Sequence, residues 1–139
     1  MLSACVLSQL VHPLQNTLAL GPEDWGRLFS MTRRLHLDTT ARLVRPGGTG
    51  VIACDVLCQA GHAVDELRKR IRPDRLGDAL LRAVDNRTIR PDPDPGVLAQ
   101  LLESPAFSSL IDRVFVTDPW HWDLGTTSQV VYAILFRRA

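Results

Sequence analysis

The sequence predicts an α/β fold: a mixed sheet of about four strands with helices on both faces and an antiparallel hairpin at the C-terminal end. Three observations carry this. An amphipathic helical stretch stops at Arg45-Pro46-Gly47-Gly48, and a short apolar strand, Gly50 to Asp55, follows at once. Proline cannot continue a helix and glycine supplies the positive φ of a sharp reversal, so this is an α-to-β joint. Residues 130–136, Val-Val-Tyr-Ala-Ile-Leu-Phe, are apolar on both alternating faces, as a central strand covered on both sides requires. Between them lie segments with apolar residues at helical spacing.

Residues 1–10 read as a strand running toward a helix. Gly21-Pro22-Glu23-Asp24 is a helix start, with proline near the first helical position and acids where the helix dipole favours them. Trp25, Leu28, Phe29, Thr32, Leu35, Thr39 and Leu43 then recur every three or four residues, predicting one face packed on a sheet. Arg27, Arg33, Arg34 and Arg42 fall on the other faces and read as solvated.

A second helical region spans about 64–84, with Val64, Leu67, Ile71, Leu76, Leu80 and Val84 as its apolar positions and Pro73 dividing it. Asp65 with Lys69, Glu66 with Arg70, and Asp78 with Arg82 are acid-before-base pairs four apart, each worth about 0.2–0.5 kcal/mol on an exposed helix. Between Arg68 and Arg90 stand eight basic and three acidic residues. This excess reads either as a patch for an acidic substrate or RNA, or as a solvated helix face. No aromatic residue interleaves the bases' stacking positions, which favours the solvated face and leaves no strong nucleic-acid signal.

Residues 90–96, Arg-Pro-Asp-Pro-Asp-Pro-Gly, form a stiff loop, a connector or a gate over a cleft. Val97, Leu98, Leu101 and Leu102 make a short helix stripe that stops near Ser104-Pro105. Residues 112–122 read as an edge strand, because Pro119 cannot donate to a ladder. Residues 129–138 are the buried last strand.

At 139 residues, 45% hydrophobic and 22% charged, the chain has enough apolar sequence for the core of one domain. A net charge of +1 gives no global attraction to nucleic acid or membrane. Cys5, Cys54 and Cys58 are too few for a disulfide framework, which suits a reducing, cytoplasmic setting. Leu2-Ser3-Ala4-Cys5 has the look of a lipoprotein cleavage box, but no basic segment and no apolar stretch precede Cys5, so the targeting reading fails. No run approaches the length of a membrane span.

The joint Leu43-Val44-Arg45-Pro46-Gly47-Gly48, the strand after it and its terminal Asp55 resemble the approach to the fifth strand of class I S-adenosylmethionine-dependent methyltransferases, where Leu-x-Pro-Gly-Gly is common. Residues 1–10 resemble the end of the fourth strand, and residues 112–122 and 129–138 the sixth and seventh. The resemblance covers nearly the whole chain and only the second half of the family's Rossmann-like domain. It implies a seventh strand inserted between the fifth and sixth, and S-adenosylmethionine as cofactor. The family's glycine-rich loop after the first strand and its ribose-binding acid after the second have no counterpart in this sequence. The resemblance therefore implies an incomplete catalytic domain, whose central strand exposes an edge to a complementary N-terminal half or to a second copy.

In open α/β sheets ligands bind at the carboxyl ends of the parallel strands. The candidates at the first such end are Ser3, Ala4, Cys5, Ser8, Gln9 and His12, which by the resemblance face the reactive methyl group and the acceptor. Ser3 stands where many relatives carry the Asn or Asp of a proline-containing motif, and that motif is absent. At the second end Asp55 is either a weak base or substrate acceptor, or a cap after the strand. His12 is either a general base or a surface residue before Pro13. Methyl transfer from a sulfonium needs mainly positioning, so no full acid/base set is expected. Cys54, Cys58 and His62 are four apart, but Cys54 belongs to the strand and no second short-spaced pair follows, so no metal site is predicted. Trp120, His121 and Trp122 either stack on an aromatic ligand or, with both tryptophans on one face of the strand, pack. Two functions stand: a methyltransferase-like catalytic half, or a non-catalytic α/β module that binds a partner.

Overall fold

A computed structural model of the chain describes residues 1–4, 14, 17–55, 69–86, 88, 94–123 and 128–139. The elements are β1 (Leu2–Ala4), α1 (Pro22–Leu43), β2 (Thr49–Asp55), α2 (Pro73–Asp85), α3 (Pro95–Leu102), β3 (Ile111–Val116), β4 (Trp120–Asp123) and β5 (Ser128–Arg138). The strands form one mixed sheet in the order β1-β2-β5-β3, with β4 also paired to β5. β1 and β2 are parallel, and β5 is antiparallel to β2 on one side and to β3 and β4 on the other. The last strand is thus central, as its apolar run predicts. The single edge strand expected over 112–122 is divided at residues 117–119, where Pro119 has no N–H to give. Thr117 bridges the gap: its N–H donates to the Ala133 carbonyl at 2.9 Å and its hydroxyl accepts from the Ala133 N–H at 2.9 Å.

α1 begins at Pro22 with Glu23 and Asp24 in its first turn and Arg42 in its last. Arg27 pairs with Glu23 at 2.7 Å and Arg42 with Asp38 at 2.8 Å, both one turn apart and exposed. Its inward face differs from the predicted one. Leu37, Thr40 and Ala41 are buried, whereas Leu35 is 68% and Leu43 64% exposed. The stripe drawn through the bulky residues drifts off the contact face: Leu37 is buried between the exposed Leu35 and Thr39 of that stripe.

The joint after α1 closes as its sequence predicts. Gly47 takes φ 71° and the Gly48 N–H donates to the Arg45 carbonyl at 2.8 Å. A Cβ at Gly48 would lie 2.8 Å from that same carbonyl oxygen, so both glycines are required for different reasons. The end of β5 locks the turn. Gly47 donates to the Arg138 carbonyl at 3.0 Å, Arg138 N–H to the Gly48 carbonyl at 2.9 Å, and the Arg138 guanidinium to the Arg42 carbonyl at 2.7 Å and to that of Val44. These are carbonyls that the helix end would otherwise leave without partners. α3 is capped by Asp94, whose carboxylate accepts from Gly96 N–H at 2.8 Å and Val97 N–H at 3.2 Å.

The main core cluster lies on one face of the sheet. Ile52 and Cys54 of β2 and Val130, Tyr132, Ile134 and Phe136 of β5 alternate onto it, and α1, α2 and α3 meet them with Leu37, Ala41, Leu76, Leu80, Leu98 and Leu102. All three of these helices therefore cover the same face. The alternate residues, Val51, Ala53 and Asp55 of β2 and Val131, Ala133 and Leu135 of β5, point to the opposite face. Among the described residues the helices lie on one face, and Ala53, Val131 and Ala133 on the other face are buried as well.

Candidate functional site

The carboxyl ends of the parallel strands, β1 at Ala4 and β2 at Asp55, are where open α/β sheets bind their ligands. β1 pairs with β2 in the register Leu2 to Val51, Ser3 to Ile52 and Ala4 to Ala53. Ser3 therefore shares the face of Ile52, toward the helices, and is only 7% exposed. Its hydroxyl forms a 2.9 Å hydrogen bond with Nε2 of His36 on α1. Burial pulls the His36 pKa below its usual value, so the neutral imidazole is favoured.

A serine hydroxyl on a histidine nitrogen is the contact of a nucleophile with its base. Ser3 offers too little surface for a substrate to reach, and no carboxylate holds the other His36 nitrogen among the described residues. The pair ties β1 to α1. Satisfying a buried hydroxyl in this way avoids a cost of about 1–3 kcal/mol. His36 was not among the sequence candidates; a stripe drawn through Arg33, His36, Thr40 and Val44, rather than through the bulky residues, would have found it.

Ala4 is half-buried beside Ala53 and has no polar side chain to offer. Asp55 ends β2 opposite Val131, half-buried, on the face away from the three helices. Ser3 and Asp55 therefore point to opposite sides of the sheet and do not form one constellation. Cys5, Ser8, Gln9 and His12 lie outside the described residues, as do Cys58 and His62. Cys54 is a buried thiol in the core, and no group of three metal-binding side chains occurs among the described residues. Trp120 opposes Val131 and Trp122 opposes Gln129, which places both tryptophans on the face of Asp55.

A separate apolar cavity of about 620 Å³ opens on the outer side of α1, lined by Leu28, Met31, Thr32, Arg34, Leu35 and Asp38, with Ala106 and Phe107 from the turns after α3. Asp38 sits on its rim, its carboxyl held below the usual range by the hydrogen bond from Arg42. None of the strand-end residues lines it.

Compared with protein-family models, curated proteins and solved structures, the chain matches none. The described strand-end residues do not on their own fit S-adenosylmethionine. Ser3 is turned inward and bonded to His36, Ala4 has no donor, and Asp55 alone offers a polar group. No helix among the described residues is long and apolar enough to cross a membrane.

Proposed function

We propose that the chain is the second half of a Rossmann-like, S-adenosylmethionine-dependent methyltransferase sheet, acting with a complementary half that supplies the cofactor's glycine loop and ribose acid. One observation carries the reading. The C-terminal strand β5 lies between β2 and β3, antiparallel to both, in a sheet whose β1 and β2 are parallel. The Leu-x-Pro-Gly-Gly resemblance implies an insertion of this kind, of the seventh strand between the fifth and sixth, and the strand order supports the reading. Among the described residues β1 pairs with β2 alone, so its other edge is open to a further strand. In this reading Asp55 and the segment after β1 face the methyl acceptor, and the setting is cytoplasmic.

A second reading has its own support: a partner-binding module without catalysis, favoured by the inward turn of Ser3 onto His36. Calorimetric titration with S-adenosylhomocysteine separates the two, using the chain alone and the chain mixed with the polypeptide encoded upstream of it. The methyltransferase reading expects little or no heat from the chain alone and a micromolar dissociation constant, about 8 kcal/mol, from the mixture. Micromolar binding by the chain alone would overturn the division into halves. No binding by either sample would overturn the methyltransferase reading and leave the module.

A further inference from the structure

We infer that the open end of the sheet face opposite the three helices is a docking surface for an amphipathic helix of another polypeptide, one that presents carboxylates beside its apolar stripe. Leu2, Val51, Leu135 and Phe115 are register partners in turn, so they form one apolar row across β1, β2, β5 and β3. Its ends stand in solvent, Leu2 at 65% and Phe115 at 62% exposure, while Val51 and Leu135 between them are half-buried. Large apolar residues at such exposure at the two ends of one apolar row mark an interaction site. Parallel sheet is ordinarily covered on both faces, and the residues of β5 are apolar on both.

The charge beside this row selects the partner. Arg113 and Arg137 are directly opposed across β3 and β5, both exposed, and neither has an acidic partner among the described residues. Like charges directly opposite each other destabilise a strand pair. Arg113 keeps the register of Val114, Phe115 and Val116, and the shift lies beyond it, toward Ile111. Arg113 and Arg137 also line, with Thr49, Phe115 and Leu135, a mostly apolar hollow of about 130 Å³ at the end of the row. Two exposed guanidiniums at the end of an apolar row match a helix that carries carboxylates at one end of its apolar stripe. The inference stands on this face alone and holds whether or not the chain belongs to a methyltransferase.

The test is selection of helical peptides from a displayed library on the immobilised full chain, followed by anisotropy titration of the selected peptides. The expected peptides combine an apolar i, i+3, i+7 stripe with acidic residues clustered at one end. Arg137→Glu creates an opposite-charge pair with Arg113, so the fold is kept, and it should weaken peptide binding by about tenfold. Phe115→Ala should weaken it by about fivefold or more. Selected peptides without an acidic bias, or undiminished binding by Arg137→Glu with its urea midpoint unchanged or raised, would overturn the inference. So would tighter binding of the wild-type chain to phosphatidylglycerol vesicles than to any peptide. Self-association in sedimentation that Phe115→Ala abolishes would also overturn it, because the occupant would then be a second copy.

Discussion

Replacing Gly50 by alanine should destabilise the protein by about 1–3 kcal/mol, the usual range for forcing one extra group into a packed core. Gly50 of β2 is buried directly opposite Phe136 of β5. A Cβ built there would lie 2.2 Å from Cζ of the Phe136 ring, 2.5 Å from Cε1 and 2.8 Å from Cε2. Carbon atoms in contact sit about 3.5–4.0 Å apart, so the ring would have to withdraw by more than an ångström. It has nowhere to go, since Phe136 is 1% exposed in a core filled by α1, α2 and α3. Urea denaturation of Gly50→Ala, Phe136→Leu and the double variant measures the effect. Phe136→Leu alone should cost about 1 kcal/mol. The double variant should be more stable than additivity requires by about 1 kcal/mol, because the shorter side chain vacates the space the new methyl needs. In melting temperature Gly50→Ala should fall by roughly 4 °C per kcal/mol. A Gly50→Ala variant within about 0.5 kcal/mol of the parent, or strict additivity in the cycle, would show that the ring is not the obstacle.

Removing the cap in Asp94→Ala should cost about 0.5–2 kcal/mol in urea denaturation, because α3 is short and brings Leu98 and Leu102 to the core; Asp94→Asn should cost far less. Arg138→Met should destabilise by about 1–3 kcal/mol by leaving the Arg42 and Val44 carbonyls without their donor, and amide exchange should quicken around residues 44–50 before it does in β5. His36 makes stability depend on pH. Its pKa is lower in the folded chain than the unfolded value of about 6.5, so the unfolded state binds the proton more readily. Its contribution is fully present above that value and is lost as pH falls through 6.5 toward the lower native pKa. Denaturation midpoints at neutral and mildly acidic pH should show this loss in the parent and a smaller one in His36→Gln.

The fold was legible where local chemistry and global pattern agree. Pro22 with its acids starts α1, Arg45-Pro46-Gly47-Gly48 stops it, and the unbroken apolar run of β5 announces a central strand. Each of these signals is carried by residues whose backbone restriction or two-sided hydrophobicity has one main structural outcome. The inward face of α1 was not legible, because burial there falls to Thr40 and Ala41 while Leu35 and Leu43 stay outside. Leu37 is buried with them and lies between Leu35 and Thr39 in sequence, so the predicted stripe runs along another side of the helix. Asp94 was readable in principle, as an acid just before a proline at the first helical position, but the proline-rich run around it reads equally as loop. The site was less legible than the fold. Ser3 appeared as a strand-end candidate, yet its partner is 33 positions away in sequence, and no local pattern announces a hydrogen bond of that span.

The edge strand shows most clearly why the second face escapes a reading by alternation. Between β3 and β5 the register shifts once, at Ile111 and Arg113. Between Val116, opposite Ile134, and Trp120, opposite Val131, it shifts again by one residue. Because side chains alternate with a period of two, each shift exchanges the faces of everything beyond it. The first shift turns Ile111 into the core, where it is 8% exposed, while Arg113 and Phe115 remain on the opposite face. The second places Trp120 and Trp122 on that opposite face; unshifted, they would have pointed at the helices. The same strand thus closes one core and furnishes the other side with two tryptophans, a phenylalanine and an arginine. A strand that served only as an edge would have no use for those residues there, whereas one that receives a second layer needs them.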